Sequence, residues 1–431
     1  MRIGLATTNI TPDRPIFMTG FAARTEPSEG AYIDLEASAV VLDDGERRVG
    51  IMALDLVGVD EYLLEPIRRK AAELGIAPEA MLVNCSHTHC APACRVVRGS
   101  CRKFDEDYLS ALTETLCALL EQAVADLQEG ALDYTVGSCT LGINRRRTNP
   151  DGSNAGMLPT PDKPIDMDVP VLRVLSPDGQ VRAVLFSYAA HPTTMGGQLI
   201  GTDYPGPARD MIRSAIPGCL PIFLQGCGGD IKPRNLTADG RFAPGTVEIV
   251  TEIGHELARA VFAALCGSPE PLGDRLDCVS AVAELPSRGT PTEQQLQELE
   301  AGGQWERAYA EAARKTIAED GGLAETLPVE VQVLRIGDLY IVGLGGEVSC
   351  EIGLEIKAKL AGQRVCTLGY SNLLRCYVAS LGAHPEGGYE VERSFLYSLH
   401  PGPRPLGLKP ESVQVLVDRA TGLVRERSLT Q

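Results

Sequence analysis

Aromatic residues are scarce in this chain: they make up 5% of its 431 residues, and Trp305 is the single tryptophan. A wide aromatic platform for stacking sugars or bases is therefore not expected. Basic residues are outnumbered as well, since 40 Lys and Arg face 57 Asp and Glu, which gives a formal net charge of -17. Nucleic acids and anionic membranes bind basic surfaces, so we expect neither as a partner and predict a small-molecule substrate.

The chain also lacks a long apolar run. No stretch of about 18 apolar residues is present to span a bilayer, which predicts no stable membrane insertion. The first residues, Met1–Thr7, contain no apolar core followed by a cleavage site, so no secretory signal is predicted. The 13 cysteines are odd in number and indicate reduced thiols in a cytoplasmic protein. Four of them lie close together but include no Cys-x-x-Cys pair, which does not favour a structural zinc site: Cys85, Cys90, Cys94 and Cys101.

Short apolar segments alternate with amphipathic ones over the first two thirds of the chain. Strand candidates lie at 49–54, 80–83, 181–188 and 221–225. Helical spacing marks 62–74, 207–216 and a longer segment from Asp105 or Asp107 to Gly130, where glycine suits a C-terminal cap. This alternation predicts an α/β fold with central mixed β-sheets flanked by helices. We expect one large catalytic domain over residues 1–431.

The last third contains a charged helical segment and a hairpin. Residues 290–320 have helical spacing and many charges, which predicts a helical surface insertion within about 285–325. Residues 329–336 alternate between apolar and polar, and after Gly337-Asp338 the chain is apolar again at 339–342, which predicts a β-hairpin. We find no internal repeat at the periods of solenoid proteins. The oligomeric state is not indicated by the sequence.

Two histidines separated by one residue, His87 and His89, follow the strand candidate at 80–83. In an extended segment, residues i and i+2 point to the same side, so both imidazoles can reach one metal ion, or one can bind it while the other transfers protons. The chain has only six histidines. Three of the others have no comparable context and are interpreted as surface or structural residues: His255, His384 and His400.

Further chemically active side chains also follow strand candidates: His191, Asp203, Asp230, Glu347 and Tyr377. Loops at strand ends are where α/β folds place their sites. A catalytic zinc ion requires about three His or carboxylate ligands and one open position for water. The sequence provides such a set without using cysteine.

Several of these residues also have structural interpretations. The run Arg145-Arg146-Arg147 is typical of a solvated loop, although Arg145 alone can bind an anion or oxyanion. Asp203 either caps the following helix or orients a histidine. Asp230, among glycines, fits a tight turn. Those glycines form no phosphate loop, because the Lys-Ser/Thr signature is absent.

Taken in order, these motifs resemble the neutral/alkaline non-lysosomal ceramidase family. The resemblance extends from Ile10 to about Glu390, and six short motifs in register carry it. They are Ser86-His87-Thr88-His89 with Pro92, Asn144-Arg145, Ala190-His191, Gly226-Cys227-Gly228-Gly229-Asp230-Ile231-Lys232-Pro233, Gly346-Glu347, and Ser371-Asn372 with Tyr377-Val378.

The resemblance implies a Zn²⁺ ion bound by His87, His191, Glu347 and Tyr377. It also places three catalytic residues at the reacting centre: His89, Arg145 and Tyr389. His89 would act as general base and then protonate the leaving nitrogen, while Arg145 and Tyr389 would stabilise the oxyanion. The implied function is a zinc-dependent amidohydrolase that cleaves an N-acyl compound with metal-activated water.

The chain departs from the family pattern at Lys232, which occupies the position of a serine that has been proposed as a nucleophile. A serine nucleophile is therefore not expected here, whereas a metal-water mechanism is unaffected. The acidic, apparently cytosolic character of the chain argues against ceramide itself. The alternatives are the same metal site acting on a soluble ester, lactone or sugar-derived substrate, or a non-catalytic ligand-binding protein.

Overall fold

One arrangement of strands and helices occurs three times in the computed structural model, which describes residues 1–94, 105–397 and 403–428. Each copy has three antiparallel strands, a helix that crosses over to a fourth strand parallel to the third, and a second helix. The second helix packs on the first two strands of its own copy. The predicted α/β fold with mixed sheets flanked by helices is therefore confirmed.

The first copy comprises β1 (Arg2–Asn9), β2 (Glu36–Asp43), β3 (Arg48–Leu54), α1 (Glu61–Glu73), β4 (Met81–Cys85) and α2 (Glu106–Ala125). Each helix begins at an aspartate whose carboxylate accepts a backbone hydrogen bond: Asp60 from Tyr62 N at 3.1 Å, and Asp105 from Tyr108 N at 2.9 Å. The apolar stripe of α2 is buried as its spacing predicts, and burial stabilises each leucine by about 1.5–3 kcal/mol. This stripe consists of Leu109, Leu112, Leu116, Leu119 and Leu120.

The prediction that this helix extends to Gly130 is wrong, because α2 ends at Ala125. Asp126 instead accepts a hydrogen bond from Leu5 N at 2.8 Å, which draws the chain onto β1. Residues Gln128–Glu129 then pair with β1 as an edge strand. A contact between distant parts of the chain therefore ends the helix.

The second and third copies repeat the pattern. The second comprises β5 (Ala131–Ser138), β6 (Asp168–Leu175), β7 (Val181–Tyr188), α3 (Pro205–Ala215), β8 (Leu220–Gln225) and α4 (Val247–Leu265). The third comprises β9 (Leu276–Pro286), β10 (Thr326–Ile336), β11 (Leu339–Leu344), α7 (Cys350–Lys359), β12 (Arg364–Leu368) and α9 (Glu411–Ser428). The predicted hairpin is confirmed as β10 and β11, with Gly337 at a φ of 60° in its turn.

Shorter elements join the three copies. The remaining helices are α5 (Glu293–Glu300), α6 (Gln304–Asp320) and the single-turn α8 (Ala383–Glu386), together with a π-helix at Tyr389–Arg393 and 3₁₀ turns at Pro78–Ala80 and Ser394–Tyr397. The other strands are Gly30–Ala31, Gly142–Thr148, Asn154–Thr160, Leu199–Ile200, Ile231–Pro233, Glu270–Pro271, Glu347–Val348 and Tyr377–Val378. None of the helices in the described ranges is both long and apolar enough to cross a bilayer.

The ends of the three parallel strands meet at Asn84, which is fully buried. Its Oδ1 accepts a hydrogen bond from Gln225 N at 2.7 Å, at the end of β8. Its Nδ2 donates to Gly369 O at 2.8 Å, just after β12. One amide side chain of the first copy therefore ties the other two copies to it, and the loops that follow these strands are brought together.

Candidate metal centre

Each copy contributes one potential metal ligand from a loop that follows one of its strands. His87 lies two residues after β4, His191 three residues after β7, and Glu347 three residues after β11. Glu347 Oε2 lies 3.1 Å from His87 Nε2 and 3.2 Å from His191 Nε2. The fold therefore brings together three residues that are 104 and 156 positions apart in sequence, and the contact between the last two is direct.

The expectation that His87 lies in an extended segment is wrong. β4 ends at Cys85, and His87 has a φ of 64° in the left-handed region, which is uncommon for a residue other than glycine. The bend is held by a hydrogen bond from His87 N to Leu56 O at 2.9 Å. His87 Nε2 and His89 Nε2 still lie 3.1 Å apart, so the two rings meet because the backbone bends.

The backbone fixes the tautomer of both histidine rings. His87 Nδ1 donates to Val57 O at 2.5 Å, and His191 Nδ1 donates to Gly228 O at 2.6 Å. A carbonyl oxygen can only accept, so each Nδ1 carries a proton and, in the neutral ring, each Nε2 presents a lone pair. Burial, with the charge of Arg145, lowers the pKa of His191 to about 4, which keeps that ring neutral.

When both rings are neutral, two nitrogen lone pairs face one carboxylate oxygen inside the protein. A single added proton can bridge only one of these contacts, whereas a divalent metal ion attracts all three atoms at once. Tetrahedral ligands at about 2.0–2.1 Å from zinc are about 3.3 Å from one another, close to the separations of Glu347 Oε2 from His87 and His191. The donor set thus fits a zinc ion.

His89 is a further potential ligand at this site. The ring nitrogens of His87, His89 and His191 lie within 4.8 Å of one another, so the three histidines by themselves could hold a metal ion. Burial and the neighbouring histidines lower the pKa of His89 well below its usual range, so its ring is neutral at pH 7. Its Nδ1 is buried and makes no hydrogen bond with any residue in the described ranges.

Tyr377 and Arg145 lie beside the histidines. Tyr377 Oη is 3.2 Å from His191 Nε2 and also 3.2 Å from Arg145 Nη2. Burial raises the pKa of Tyr377, and the charge of Arg145 opposes that rise. Arg145 Nε donates to Glu390 at 2.9 Å, and both side chains are buried. Of the predicted catalytic residues, Tyr389 packs edge-on against Tyr377, with ring centroids 5.5 Å apart.

The solvated-loop interpretation of the arginine run applies only to Arg147, which is exposed. Arg145 and Arg146 are 4% and 2% exposed and both bind the carboxylate of Glu390. Arg146 also donates to Gly387 O at 2.6 Å. Burial alone would raise the pKa of Glu390, but the two guanidinium charges outweigh it and lower that pKa.

Two residues of the site were not identified from the sequence. The Tyr370 ring lies 4.3 Å from the His87 ring, and its hydroxyl lies 3.3 Å from His191 Nδ1. Tyr370 follows β12 by two residues, as His87 follows β4, and both have a positive φ. Only an alignment of the three copies would have indicated it. Glu390 marks the approximate end of the resemblance, but no role was assigned to it.

The two aspartates fix loops beside the site. Asp203 accepts from Met195 N and Tyr204 N, both at 2.8 Å, and it contacts no histidine within the described ranges. Tyr204 is the residue that precedes α3, so neither proposed role of Asp203 fits and it organises the loop before the helix. Asp230 does more than form a turn, because it accepts from Cys350 N at 2.8 Å and from the Asn144 amide at 3.1 Å.

The remaining histidines and the cysteines lie in other surroundings. His255 is half-buried in α4, whereas His384, predicted to be a surface or helix residue, lies in α8 and lines the cavity next to the metal centre. Cys85, Cys90 and Cys94 are buried free thiols, while Cys101 and His400 lie outside the described residues.

A cavity of about 320 Å³ opens beside the candidate metal centre formed by His87, His191 and Glu347. His87, His89, Arg145, Glu347 and Tyr377 form its polar end. Much of the remaining wall is apolar and gathers several of the few aromatic side chains: Phe21, Trp305, Tyr389, Phe395 and Tyr397. An apolar space that ends at convergent polar groups is typical of a small-molecule site.

Of the comparisons with known proteins, only the comparison with solved structures gives a match. No family model matches the chain, and no curated protein matches it significantly. The solved structure of neutral ceramidase from Pseudomonas aeruginosa is similar over 99% of this chain and 74% of that chain, with a TM-score of 0.74 and 21% identity. A structure described as ceramidase complexed with C2 covers 99% of this chain and 75% of that chain, with a TM-score of 0.73 and 21% identity. The resemblance suggested by the motifs is therefore confirmed in three dimensions, and the chain has the neutral ceramidase fold.

Proposed function

We propose that the chain is a zinc-dependent hydrolase that cleaves the amide bond of an N-acyl compound. The observation that carries this proposal is the approach of His87 Nε2 and His191 Nε2 to the same oxygen of Glu347, at 3.1 and 3.2 Å. The apolar cavity beside these groups suits an acyl chain. The neutral ceramidase fold supports the same reaction class, although a shared fold alone does not establish a function.

In this proposal His87, His191 and Glu347 hold the metal ion, and Tyr377 Oη is the fourth donor. His87, His191 and Glu347 would leave the fourth position of a tetrahedral zinc site to water, and Tyr377 Oη would make the site five-coordinate. When bound, zinc would lower the pKa of that water and polarise the scissile carbonyl. Arg145, 3.2 Å from Tyr377 Oη, favours the ionised phenol that such a donor requires.

His89 transfers the proton. Its neutral imidazole, 3.1 Å from His87 Nε2, accepts a proton from the attacking water and then delivers it to the leaving nitrogen. Water adds to the carbonyl carbon, the C–N bond breaks, and the products are a carboxylic acid and an amine. Arg145 and Tyr389 stabilise the negative charge on the carbonyl oxygen, and the ion pair with Glu390 holds Arg145 in place for this role.

Metal analysis and hydrolysis assays of two matched variants test this function. We expect one equivalent of zinc in the purified protein, loss of metal and activity in His87→Ala, and retention of both in His255→Ala. His255 is half-buried in α4, so this control removes a histidine ring that is not among the proposed ligands. A protein without stoichiometric metal, or full activity in His87→Ala, would refute the proposal.

The substrate is tested with a panel of long-chain amides, including ceramide, and water-soluble acyl amides, esters, lactones and sugar acids. Cleavage of N-acyl amides, with release of the free amine, is the expected result. Cleavage of esters or lactones alone would support the proposed metal site, but it would show that the substrate is a soluble ester or lactone and not an amide. Stoichiometric metal with no hydrolysis of any compound would instead favour a ligand-binding protein.

A further inference from the structure

Lys232 lines the same cavity as the metal centre, but neither metal binding nor proton transfer uses it. It lies in the strand Ile231–Pro233, which pairs with the strand that carries Arg145. Its ammonium nitrogen lies 4.7 Å from the centroid of the Phe242 ring. Within residues 1–94, 105–397 and 403–428, this nitrogen makes no hydrogen bond and no ion pair.

Two other cations of the cavity wall are neutralised by the protein. Arg145 is paired with Glu390 at 2.9 Å, and Arg375 with Glu61 at 2.6 Å. Lys232 is half-buried without such a partner, and a partly buried charge normally acquires a counter-charge. Burial, followed by the charge of Arg145, lowers the pKa of Lys232 to about 8, so the side chain is still mostly protonated at pH 7.

We propose that Lys232 binds a carboxylate of the substrate, so that the preferred substrates are N-acyl compounds that carry an acid group, such as N-acyl amino acids. This inference rests on the hydrolase function proposed above. The cavity provides an apolar wall for a hydrocarbon portion, the metal centre for the amide, and an unpaired ammonium for an anion. A neutral two-chain lipid amide carries no anion that could bind the ammonium group of Lys232.

Kinetics with paired substrates test the preference. The probes are N-dodecanoylglycine and its uncharged amide, N-dodecanoylglycinamide, with an N-succinyl alkylamine to place the acid on the acyl portion instead. We expect kcat/KM to favour one carboxylate compound over the neutral amide by about 10- to 100-fold, the range for a hydrogen bond to a charged group. The better of the two acids shows which side of the amide faces Lys232.

Three variants separate charge recognition from a structural effect. Lys232→Met should reduce the preference for the acid by about tenfold or more, and Lys232→Arg should restore most of it. Lys315→Met, on the 74% exposed Lys315 of α6, is the control and should keep the wild-type preference. An equal fall of kcat/KM for acid and neutral amide in Lys232→Met would overturn the proposal, and so would a wild-type protein that does not distinguish them.

A binding measurement separates failure of this inference from failure of the proposed function. Trp305 is the only tryptophan and lines the cavity, so its fluorescence reports occupancy. The purified protein, carrying His89→Ala to prevent turnover, is titrated with N-dodecanoylglycine and with its amide. We expect about tenfold tighter binding of the acid, and loss of that difference in Lys232→Met. Equal affinities for the acid and its amide would refute recognition by Lys232, even if the protein hydrolyses amides. Tighter binding of the acid that depends on Lys232 would support this recognition, even if the protein hydrolyses no amide.

Discussion

Gly20 is packed against the ring of His89, and its replacement by alanine tests the position of that ring. Gly20 has a φ of 102°, and a Cβ atom built there would lie 2.5 Å from His89 Cγ and 2.7 Å from Nδ1. Carbon atoms in contact are about 3.5–4.0 Å apart, so the ring or the loop around Gly20 must move by about 1 Å. A misplacement of about 1 Å in a catalytic group can cost about 10²-fold in rate.

We therefore expect Gly20→Ala to lower kcat by about 100-fold while the protein keeps its zinc. Gly45→Ala is the control, because Gly45 has a similar φ of 93° but no atom within 4 Å of its added Cβ. Both variants carry a similar backbone strain of about 1–2 kcal/mol, equivalent to a fall in Tm of only about 1–2 °C in a chain of this length. Only Gly20→Ala places an atom against the ring of His89.

The assay combines steady-state kinetics with metal analysis and thermal unfolding. Full activity of Gly20→Ala would refute the expectation that the position of the His89 ring limits kcat. Loss of zinc from Gly20→Ala, with zinc retained in Gly45→Ala, would show that His89 is a metal ligand, as the three-histidine group allows. The two assignments for His89 thus give opposite results in the metal analysis.

Three further substitutions test the surroundings of the site. Glu390→Gln leaves the buried Arg145 without its counter-charge, and we expect a loss of about 3–5 kcal/mol in urea unfolding together with weaker catalysis; unchanged stability would contradict this. Asn84→Ala leaves the buried Gln225 N without its acceptor, which should cost about 2–4 kcal/mol in the same assay, and a loss below about 1 kcal/mol would show that other contacts join the copies. Burial raises the pKa of Asp230 to about 6, so the folded state binds more protons than the unfolded state between about pH 4 and 6. Protonation of Asp230 therefore stabilises the folded state at low pH, and this contribution is lost as the pH rises through 6. The stability of wild type relative to Asp230→Asn should therefore fall by up to about 3 kcal/mol over that interval, and parallel pH profiles would refute the shift.

Local patterns predicted much of the fold. Apolar runs and helical spacing identified strands such as β7 and β8 and the start of α2 at Asp105, because these features depend on residues that are close in sequence. The end of α2 was missed because it depends on the bond from Leu5 N to Asp126, across more than 100 residues. Sequence patterns predict what a segment favours by itself, and distant contacts then modify its ends.

The threefold architecture was not predicted, because the three copies share geometry without an evident repeat in sequence. Each copy spans more than 100 residues, well beyond the periods of solenoid repeats. The candidate site could not be predicted from local patterns either, and its residues were identified through the resemblance to a known family. His87 and His89 were visible as a pair, but nothing local associates Glu347 or Tyr370 with them.

The origin of the three ligands has a consequence for stability. His87, His191 and Glu347 belong to the first, second and third copies, so the donor set exists only when all three copies are docked. The side-chain amide of Asn84 joins the ends of β4, β8 and β12, one strand from each copy. Without a positive charge, two lone pairs and a carboxylate at this junction oppose the packing that Asn84 supports. A bound cation reverses that effect, so the free energy of metal binding is also free energy of association between the three copies.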